Sequence, residues 1–247
     1  MRNHPYLGIG LGLGQDERNA GGVGGGGSPA PILRPRALRL EQRLAQYASH
    51  SDSALLDVGG CDWTWTGMAQ LFTNNLGEYP LLGKYPNGYL LDYNGGALAA
   101  YYGSSSNERI AATDPGAWTL NTWYFFRLQY ELATTTLSLR VNEGVASTRV
   151  LPDLSGNAFP FAIGSYGGVV GAYWDGLVDS VSFWKRLLTS DEAATLRQGQ
   201  AYAVFPDALK VSLVAHYELD DDLTDPVSGL DLTAHGLSPL TYVAGRV

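Results

Sequence analysis

The chain has 247 residues, a formal net charge of −8 and a single cysteine, Cys61. One cysteine excludes a disulfide within the chain, and the acidic charge disfavours nucleic acid and anionic membrane as partners. No apolar run reaches the ~20 residues needed to cross a bilayer, and the N-terminus lacks the apolar segment of a signal peptide. We therefore expect a chain that is made in the cytoplasm and binds neither nucleic acid nor membrane.

The first 35 residues differ in composition from the rest of the chain. Within them, glycines alternate with four apolar residues, Leu7, Ile9, Leu11 and Leu13. In an extended strand this pattern places the apolar side chains on one face, which suits strand addition to another copy of the chain or to another structural protein. A glycine-rich tail without fixed structure is the alternative. We predict an extended N-terminal arm and linker over residues 1–35 that mediates assembly.

Alternation of apolar and polar residues predicts antiparallel strands in the middle of the chain. Residues 124–131 and 137–142 alternate as half-buried strands do. Many short segments of this kind, separated by glycine-rich turns, indicate an all-β sandwich. Its core is expected to contain the tryptophans Trp63, Trp65 and Trp123.

Residues 174–196 join an alternating strand to a short helix. In this strand Asp179 falls on a face that is otherwise apolar and consists of Leu177, Val181 and Phe183. A buried carboxylate requires a bound cation or strong hydrogen-bond donors. After the strand, the spacing of Thr189 and Glu192 is that of a capping box. It predicts one short helix near residues 190–198.

This segment resembles the closing strand and helix of laminin-G-like domains in the concanavalin A-like lectin/glucanase superfamily. Elements similar to earlier parts of those domains occur in the same order at residues 63–72, 82–93, 117–130, 136–144 and 161–164. The resemblance, which extends over about residues 36–198, implies a two-sheet antiparallel jelly-roll sandwich. It also implies a structural calcium ion, which prefers several oxygen ligands. Asp179 and Asp225 are the candidate ligands.

Residues 211–247 resemble the opening strand and loop of the same family, although they come last here. The recognisable domain begins at Arg36 without such a strand. In the tail, the residues expected to face the core are Leu213, Ala215, Tyr217 and Leu219. We therefore predict a single sandwich over residues 36–247, completed by this tail either as a circular permutant or as a strand exchanged between subunits. A truncated second domain is a third alternative.

Few sequence patterns indicate catalysis. The four histidines lack the spacing of zinc ligands. Glu218, Asp220 and Asp222 are similar to the alternating carboxylates on a strand of sandwich glucanases, where two carboxyl groups cleave a glycosidic bond. However, the last position holds aspartate instead of glutamate, and the segment aligns better with the non-catalytic opening strand. A glycoside hydrolase is therefore an alternative, and the main prediction is a protein without enzyme activity.

Two non-catalytic roles remain. One is a structural subunit of a larger assembly such as a phage virion or another extracellular particle, and the other is a free carbohydrate-binding lectin. Aromatic rings stack on sugar faces, and the candidate ligand-binding residues are Tyr101, Tyr102, Tyr166 and Tyr173. We predict a lectin-like structural and adhesion module, with a cell-surface glycan as an accessory partner.

Overall fold

The computed structural model describes residues 36–74, 77–103, 109–112, 118–152, 156–167, 169–199 and 201–246. They belong to the second of the two units into which the chain divides, Met1–Ala30 and Pro31–Val247. The predicted arm residues Leu7, Ile9, Leu11 and Leu13 lie outside the described residues, so the arm stays a prediction. Among the described residues, no helix has the length and apolar character needed to span a membrane.

Strands form most of the described secondary structure. In chain order they are β1 (Arg36–Leu40), β2 (Tyr47–His50), β3 (Trp63–Leu71), β4 (Glu78–Gly83), β5 (Gly88–Asn94), β6 (Ala97–Gly103), β7 (Arg109–Ala112), β8 (Trp123–Glu131), β9 (Thr136–Val141), β10 (Ser147–Val150), β11 (Phe161–Ile163), β12 (Ser165–Tyr166), β13 (Val169–Tyr173), β14 (Gly176–Trp184), β15 (Leu213–Tyr217), β16 (Thr233–His235) and β17 (Thr241–Ala244). The helices are α1 (Ser190–Arg197) and α2 (Asp207–Lys210), and short 3₁₀ turns occupy Gln42–Leu44, Ala54–Leu56 and Tyr202–Val204.

The strands form two large antiparallel sheets and one hairpin. The first sheet has the order β10-β9-β8-β3-β14-β1-β17, with β15 also paired to β14, and the second sheet has the order β16-β2-β11-β4-β5-β6-β7. The hairpin consists of β12 and β13. The predicted all-β sandwich is therefore confirmed, with two sheets that bury their facing sides.

The core between the sheets is rich in aromatic side chains. Trp65 packs between Phe161, at 4.8 Å between ring centroids, and Phe183, at 4.5 Å. The alternating residues of β8 and β9 that were expected to point inward are buried in this core. Each such side chain contributes roughly 1.5–3 kcal/mol when it leaves water. Trp63 is also fully buried, whereas Trp123 is only partly buried at the edge of a second cluster.

The alternation of β14 is interrupted at Ser180, which adopts a left-handed backbone conformation with φ of 55°. The pairing of β14 with β3 shifts between Asp179 and Ser182, as in a β-bulge. As a result, Val178, Val181 and Phe183 belong to the core. The expectation that Asp179 shares a face with Val181 is wrong, because the bulge turns Asp179 to the outer face of the first sheet.

The predicted helix is confirmed as α1, and so is its capping box. The Thr189 hydroxyl accepts a hydrogen bond from the Glu192 backbone N–H at 3.2 Å, and the Thr189 N–H donates to Glu192 Oε2 at 2.8 Å. With α2, this helix covers the outer face of the first sheet. The resulting second apolar cluster consists of Met68, Phe125, Trp184, Leu188, Ala193, Leu196, Phe205, Leu209 and Leu213.

The C-terminal tail contributes strands to both sheets. β15 pairs with β14, β17 with β1, and β16 with β2. Ala215, Tyr217 and Leu219 lie in the core between the sheets. Leu213 packs in the second cluster instead, because the pairing of β14 with β15 shifts at Phe183 and Trp184.

Candidate functional site

The outer face of the second sheet carries a group of aromatic and polar side chains, which we call the aromatic face. It consists of Tyr47, Glu78, Tyr85, Asp92, Asn94, Tyr101, Tyr166, Tyr173 and His235. All of them are at least partly exposed except Asp92, which is only 1% exposed. Strand alternation produces it: on β5, Tyr89, Leu91 and Tyr93 point into the core, so Asp92 and Asn94 point outward. Glu78 and Asp92 lie near each other because Glu78 pairs with Asn94, and Pro80 pairs with Asp92.

Tyr166 lies at the centre of one half of the aromatic face. Its hydroxyl oxygen is 3.2 Å from Glu78 Oε2 and 3.4 Å from Asp92 Oδ2. Its ring centroid is 5.5 Å from that of Tyr85. Burial raises the pKa of Tyr166 above its usual value, and the negative charges of Asp92 and Glu78 raise it further. The phenol therefore stays protonated at neutral pH and serves as a hydrogen-bond donor to a carboxylate.

Asn94 links Tyr101 to this group. Its side-chain amide donates to the Tyr101 hydroxyl at 3.1 Å and to Glu78 Oε1 at 3.3 Å. Tyr101 is partly exposed on β6. The Glu78 carboxylate and the Asn94 amide are thus held in a network next to aromatic rings. This arrangement can hydrogen-bond hydroxyl groups while the rings contact apolar C–H surfaces, and the buried Asp92 contacts Tyr166.

Three stacked rings form the other half of the aromatic face. The Tyr47 ring lies 4.4 Å from His235 with an interplanar angle of 10°, and 6.1 Å from Tyr173 with an angle of 28°. His235 Nε2 is 2.9 Å from the Ser49 hydroxyl oxygen. Burial raises the pKa of Tyr47, with a smaller contribution from Tyr173. The three rings are all partly exposed, so this row offers ring surface to solvent.

The structure places the four predicted ligand-binding tyrosines in two environments. Tyr101, Tyr166 and Tyr173 lie on the aromatic face. Tyr102 was predicted with them, but it is buried in the core, with its ring 5.0 Å from that of Tyr130 and 5.9 Å from that of Trp63. That expectation is corrected, because a ring enclosed between the sheets cannot stack on a sugar.

Sequence reasoning missed the remaining members of the aromatic face. They are Tyr47, Glu78, Tyr85, Asp92, Asn94 and His235. The polar residues at alternate positions of β5 were a usable signal, because an apolar inner face leaves Asp92 and Asn94 outside. The stacking of Tyr47 with His235 gave no local signal, since their strands are 183 to 188 residues apart in the chain and meet only in the folded sheet.

Asp179 and Asp225, predicted as calcium ligands, have protein donors. The fully buried Asp179 accepts from Arg246 Nε at 3.3 Å and from the Ser180 hydroxyl at 2.7 Å, which matches the alternative of strong donors. Asp225 accepts four backbone N–H groups at 3.0–3.1 Å, from His216, Val227, Ser228 and Leu230. A calcium ion needs such oxygens for itself, so neither carboxylate fits the role of ligand. The described residues contain no group of three or more side chains suited to a metal.

The acidic segment proposed as a hydrolase motif does not form a strand. β15 ends at Tyr217, and Leu219 takes a left-handed conformation with φ of 60°, so the alternation required of Glu218, Asp220 and Asp222 is broken. Glu218 accepts the backbone N–H of Tyr202 at 2.8 Å, and Asp222 accepts that of Thr224 at 3.0 Å. Although these acidic residues line a cavity of about 310 Å³, they are not arranged as a catalytic pair on one strand.

Comparison with known proteins agrees with this architecture. Residues 61–194 match the family model of the concanavalin A-like lectin/glucanases superfamily. No curated protein matches the sequence. Among solved structures, the chain is similar to a protein from Bacteroides ovatus that is proposed to bind carbohydrate, with a TM-score of 0.66, 17% identity and coverage of 87% of this chain. This chain spans 61% of the length of that protein.

Two further structures share the fold. A heptameric SAP-like pentraxin from Limulus polyphemus has a TM-score of 0.56 and 12% identity, over 85% of this chain and 95% of its own. The CBM40 module of a Ruminococcus gnavus sialidase, bound to α2,3-sialyllactose, has a TM-score of 0.50 and 12% identity, over 66% of this chain and 98% of its own. At these identities the similarity establishes the fold alone.

Proposed function

Because this chain belongs to the concanavalin A-like lectin/glucanases superfamily, we propose that it is a carbohydrate-binding module without catalytic activity. The observation that carries this proposal is the aromatic face, where partly exposed rings surround the accessible carboxylate of Glu78 and the side-chain amide of Asn94. Such a combination suits a sugar, because rings contact its C–H groups. A carboxylate accepts hydrogen bonds from its hydroxyls, and an amide both donates to them and accepts from them. Two of the similar structures are described as carbohydrate-binding, which supports the proposal.

A binding role is favoured over hydrolysis by the positions of the acidic residues. On the aromatic face, Glu78 and Asp92 both lie within hydrogen-bond distance of the Tyr166 hydroxyl, and Asp92 is buried, so the two carboxylates do not both reach a bound sugar. Glycosidases instead place two carboxyl groups on opposite sides of the scissile bond. In the tail, the carboxylates of Glu218 and Asp222 accept backbone N–H groups. Neither set provides a free acid and a free base.

The proposal is tested by glycan-array and polysaccharide-affinity measurements on the intact protein. We expect binding to at least one glycan class, and the variant Tyr166→Ala should weaken it by about tenfold, which corresponds to about 1.4 kcal/mol for one aromatic contact. Val150→Ala is the matched control, because Val150 is 71% exposed on β10 at the edge of the other sheet. Absence of binding to every glycan tested, or equal loss in the two variants, would contradict the proposal.

Assembly through the N-terminal arm is a second candidate role and does not conflict with the first. It is supported by the one-sided apolar row of Leu7, Ile9, Leu11 and Leu13, which requires a partner surface if it forms a strand. We expect the full chain to have a multimeric mass by light scattering and a chain that starts at Ser28 to be monomeric. The same monomeric mass for both would remove this role. Membership of a virion or another particle stays a prediction from the sequence.

A further inference from the structure

We propose that the aromatic face binds an extended, uncharged glycan chain that runs across the strands of the second sheet, and not a single terminal sugar. This inference rests on the proposed carbohydrate-binding function and adds the class of ligand and its direction. Three features support it: the alignment of the two halves of the face, the hairpin that lies between them, and the charge of the face.

The two halves of the aromatic face lie at one level of the sheet. The pairing of neighbouring strands, from β2 through β11 and β4 to β5, places Ala48 of β2 level with Leu91 of β5. Tyr47 precedes Ala48, and Asp92 follows Leu91, so in antiparallel strands both lie on the same side of this row. His235 is paired directly with Tyr47. His235, Tyr47 and Asp92 therefore form a line perpendicular to the strands.

This line is long compared with one sugar ring. In the order β16-β2-β11-β4-β5, four strand spacings separate His235 from Asp92. At about 4.8 Å each, they amount to roughly 19 Å. A monosaccharide that rests on one ring would leave most of the face unused, whereas a chain of several sugar residues would contact both halves.

The hairpin of β12 and β13 connects the two halves. Gly164, with φ of 90°, lets the chain turn away from β11 immediately after Ile163, a conformation that favours glycine. Ser165 pairs with Tyr173 at the base of the hairpin. Tyr173 stacks toward Tyr47 on one side, and the neighbouring Tyr166 reaches Glu78 and Asp92 on the other. The hairpin therefore continues the aromatic path across β11 and β4, whose own aromatic residues, Phe161 and Tyr79, point into the core.

The charge of the face favours an uncharged ligand. Glu78 and Asp92 place two carboxylates beside Tyr166, in a chain whose formal net charge is −8. An anionic sugar would be repelled by these groups. Uncharged hydroxyls, in contrast, can donate hydrogen bonds to the exposed carboxylate of Glu78. This distinguishes the expected ligand from the sialyllactose held by the Ruminococcus gnavus module.

The test uses affinity electrophoresis of the intact protein in gels that contain neutral polysaccharides (xylan, mixed-linkage glucan, galactomannan) or anionic ones (pectate, polysialic acid). Oligosaccharides from the retained polysaccharide, from disaccharide to hexasaccharide, are then titrated by calorimetry. We expect retention by a neutral polysaccharide and at least tenfold tighter binding of the hexasaccharide than of the disaccharide. Tyr47→Ala and His235→Ala should each reduce hexasaccharide affinity several-fold and leave disaccharide affinity unchanged, while Val150→Ala changes neither.

The outcomes separate this inference from the function on which it rests. If no polysaccharide or array glycan is bound, the carbohydrate-binding function itself is wrong. If a glycan is bound but the disaccharide and hexasaccharide bind equally, or an anionic glycan is preferred, the function stands and the extended, uncharged ligand is wrong. If Tyr166→Ala does not fold, Tyr47→Ala and His235→Ala, which lie on the other half of the aromatic face, carry the test with the outcomes given above.

Discussion

Arg246 donates to the fully buried carboxylate of Asp179, with Nε 3.3 Å from Oδ2. The pair joins the end of the C-terminal tail to the bulge of β14, 67 residues away in the chain. Ser180, the bulged residue, contributes the second donor at 2.7 Å. The bulge and the tail thus provide together what the buried charge of Asp179 requires.

Replacement of Arg246 by alanine should destabilise the fold strongly. Loss of one partner leaves the other charge buried and uncompensated, which costs about 3 kcal/mol or more and lowers the melting temperature by roughly 6–12 °C in a chain of this size. The matched control is Arg43→Ala, because the Arg43 side chain is 81% exposed in its pair with Glu41 and such pairs contribute at most about 1 kcal/mol. Thermal unfolding of both variants decides the matter, and similar small shifts would show that Asp179 does not depend on Arg246.

Calcium and chelators should leave the stability unchanged. The oxygens of Asp225 accept four backbone N–H groups, and Asp179 pairs with Arg246, so binding of a cation would require both sets of contacts to break. We expect the same melting temperature in EDTA and in millimolar calcium chloride. A saturable increase with calcium would indicate preferential binding to the folded state and would restore the calcium site predicted from the sequence.

Several tyrosines should ionise late in an alkaline titration. The pKa values of Tyr89, Tyr166 and Tyr217 are raised above 10, mainly by burial. The negative charge of nearby aspartates raises the pKa of each of these tyrosines further. Below pH 10 these phenols are protonated in both the folded and the unfolded chain, so they do not affect the pH dependence of stability. Above pH 10 only the unfolded chain releases their protons, so stability falls as pH rises.

The measurement is the absorbance of tyrosinate near 295 nm, followed together with unfolding by circular dichroism. Exposed tyrosines should titrate near pH 10, and the late group should appear only as the protein unfolds. Tyr166→Phe should remove one tyrosine from the late group. Titration of all tyrosines in a single step before unfolding would contradict the burial that the structure gives to these three side chains.

The sequence was sufficient to predict the fold because many local signals agreed: alternation on β8 and β9, the capping box of α1, and the order of the family motifs. It was insufficient where one backbone conformation reversed a pattern. Ser180 takes a left-handed conformation that is uncommon outside glycine, and nothing in its neighbours indicates it. Strict alternation therefore placed Asp179 on the wrong face.

The candidate site was predicted in part for a related reason. Tyr101 and Tyr102 are adjacent, so at most one can face outward in a strand, and the choice depends on how β6 pairs. Tyr102 pairs with Tyr89, whose inward position follows from the apolar alternation of β5, and this pairing directs Tyr102 into the core. The row of His235, Tyr47 and Tyr173 combines three distant segments and could be identified only from the folded sheet.

Removal of the C-terminal tail should prevent formation of a stable sandwich. A chain that ends at Lys210 retains every residue of the second apolar cluster except Leu213. However, it loses the strands β15, β16 and β17, which pair with β14, β2 and β1 respectively. It also exposes the core surface covered by Ala215, Tyr217 and Leu219. Unpaired strand edges beside exposed apolar surface promote association, so we expect aggregation instead of a slightly less stable monomer.

A chain that ends at Leu240 is the control, because it keeps β15 and β16 and loses only the four residues of β17 and the segment after them. It also loses Arg246, so we expect a soluble but destabilised protein. Solubility, light scattering and thermal unfolding distinguish the two shortened chains. A soluble chain ending at Lys210 that unfolds cooperatively would show that the tail is dispensable, and the prediction that residues 211–247 complete the sandwich would then be wrong.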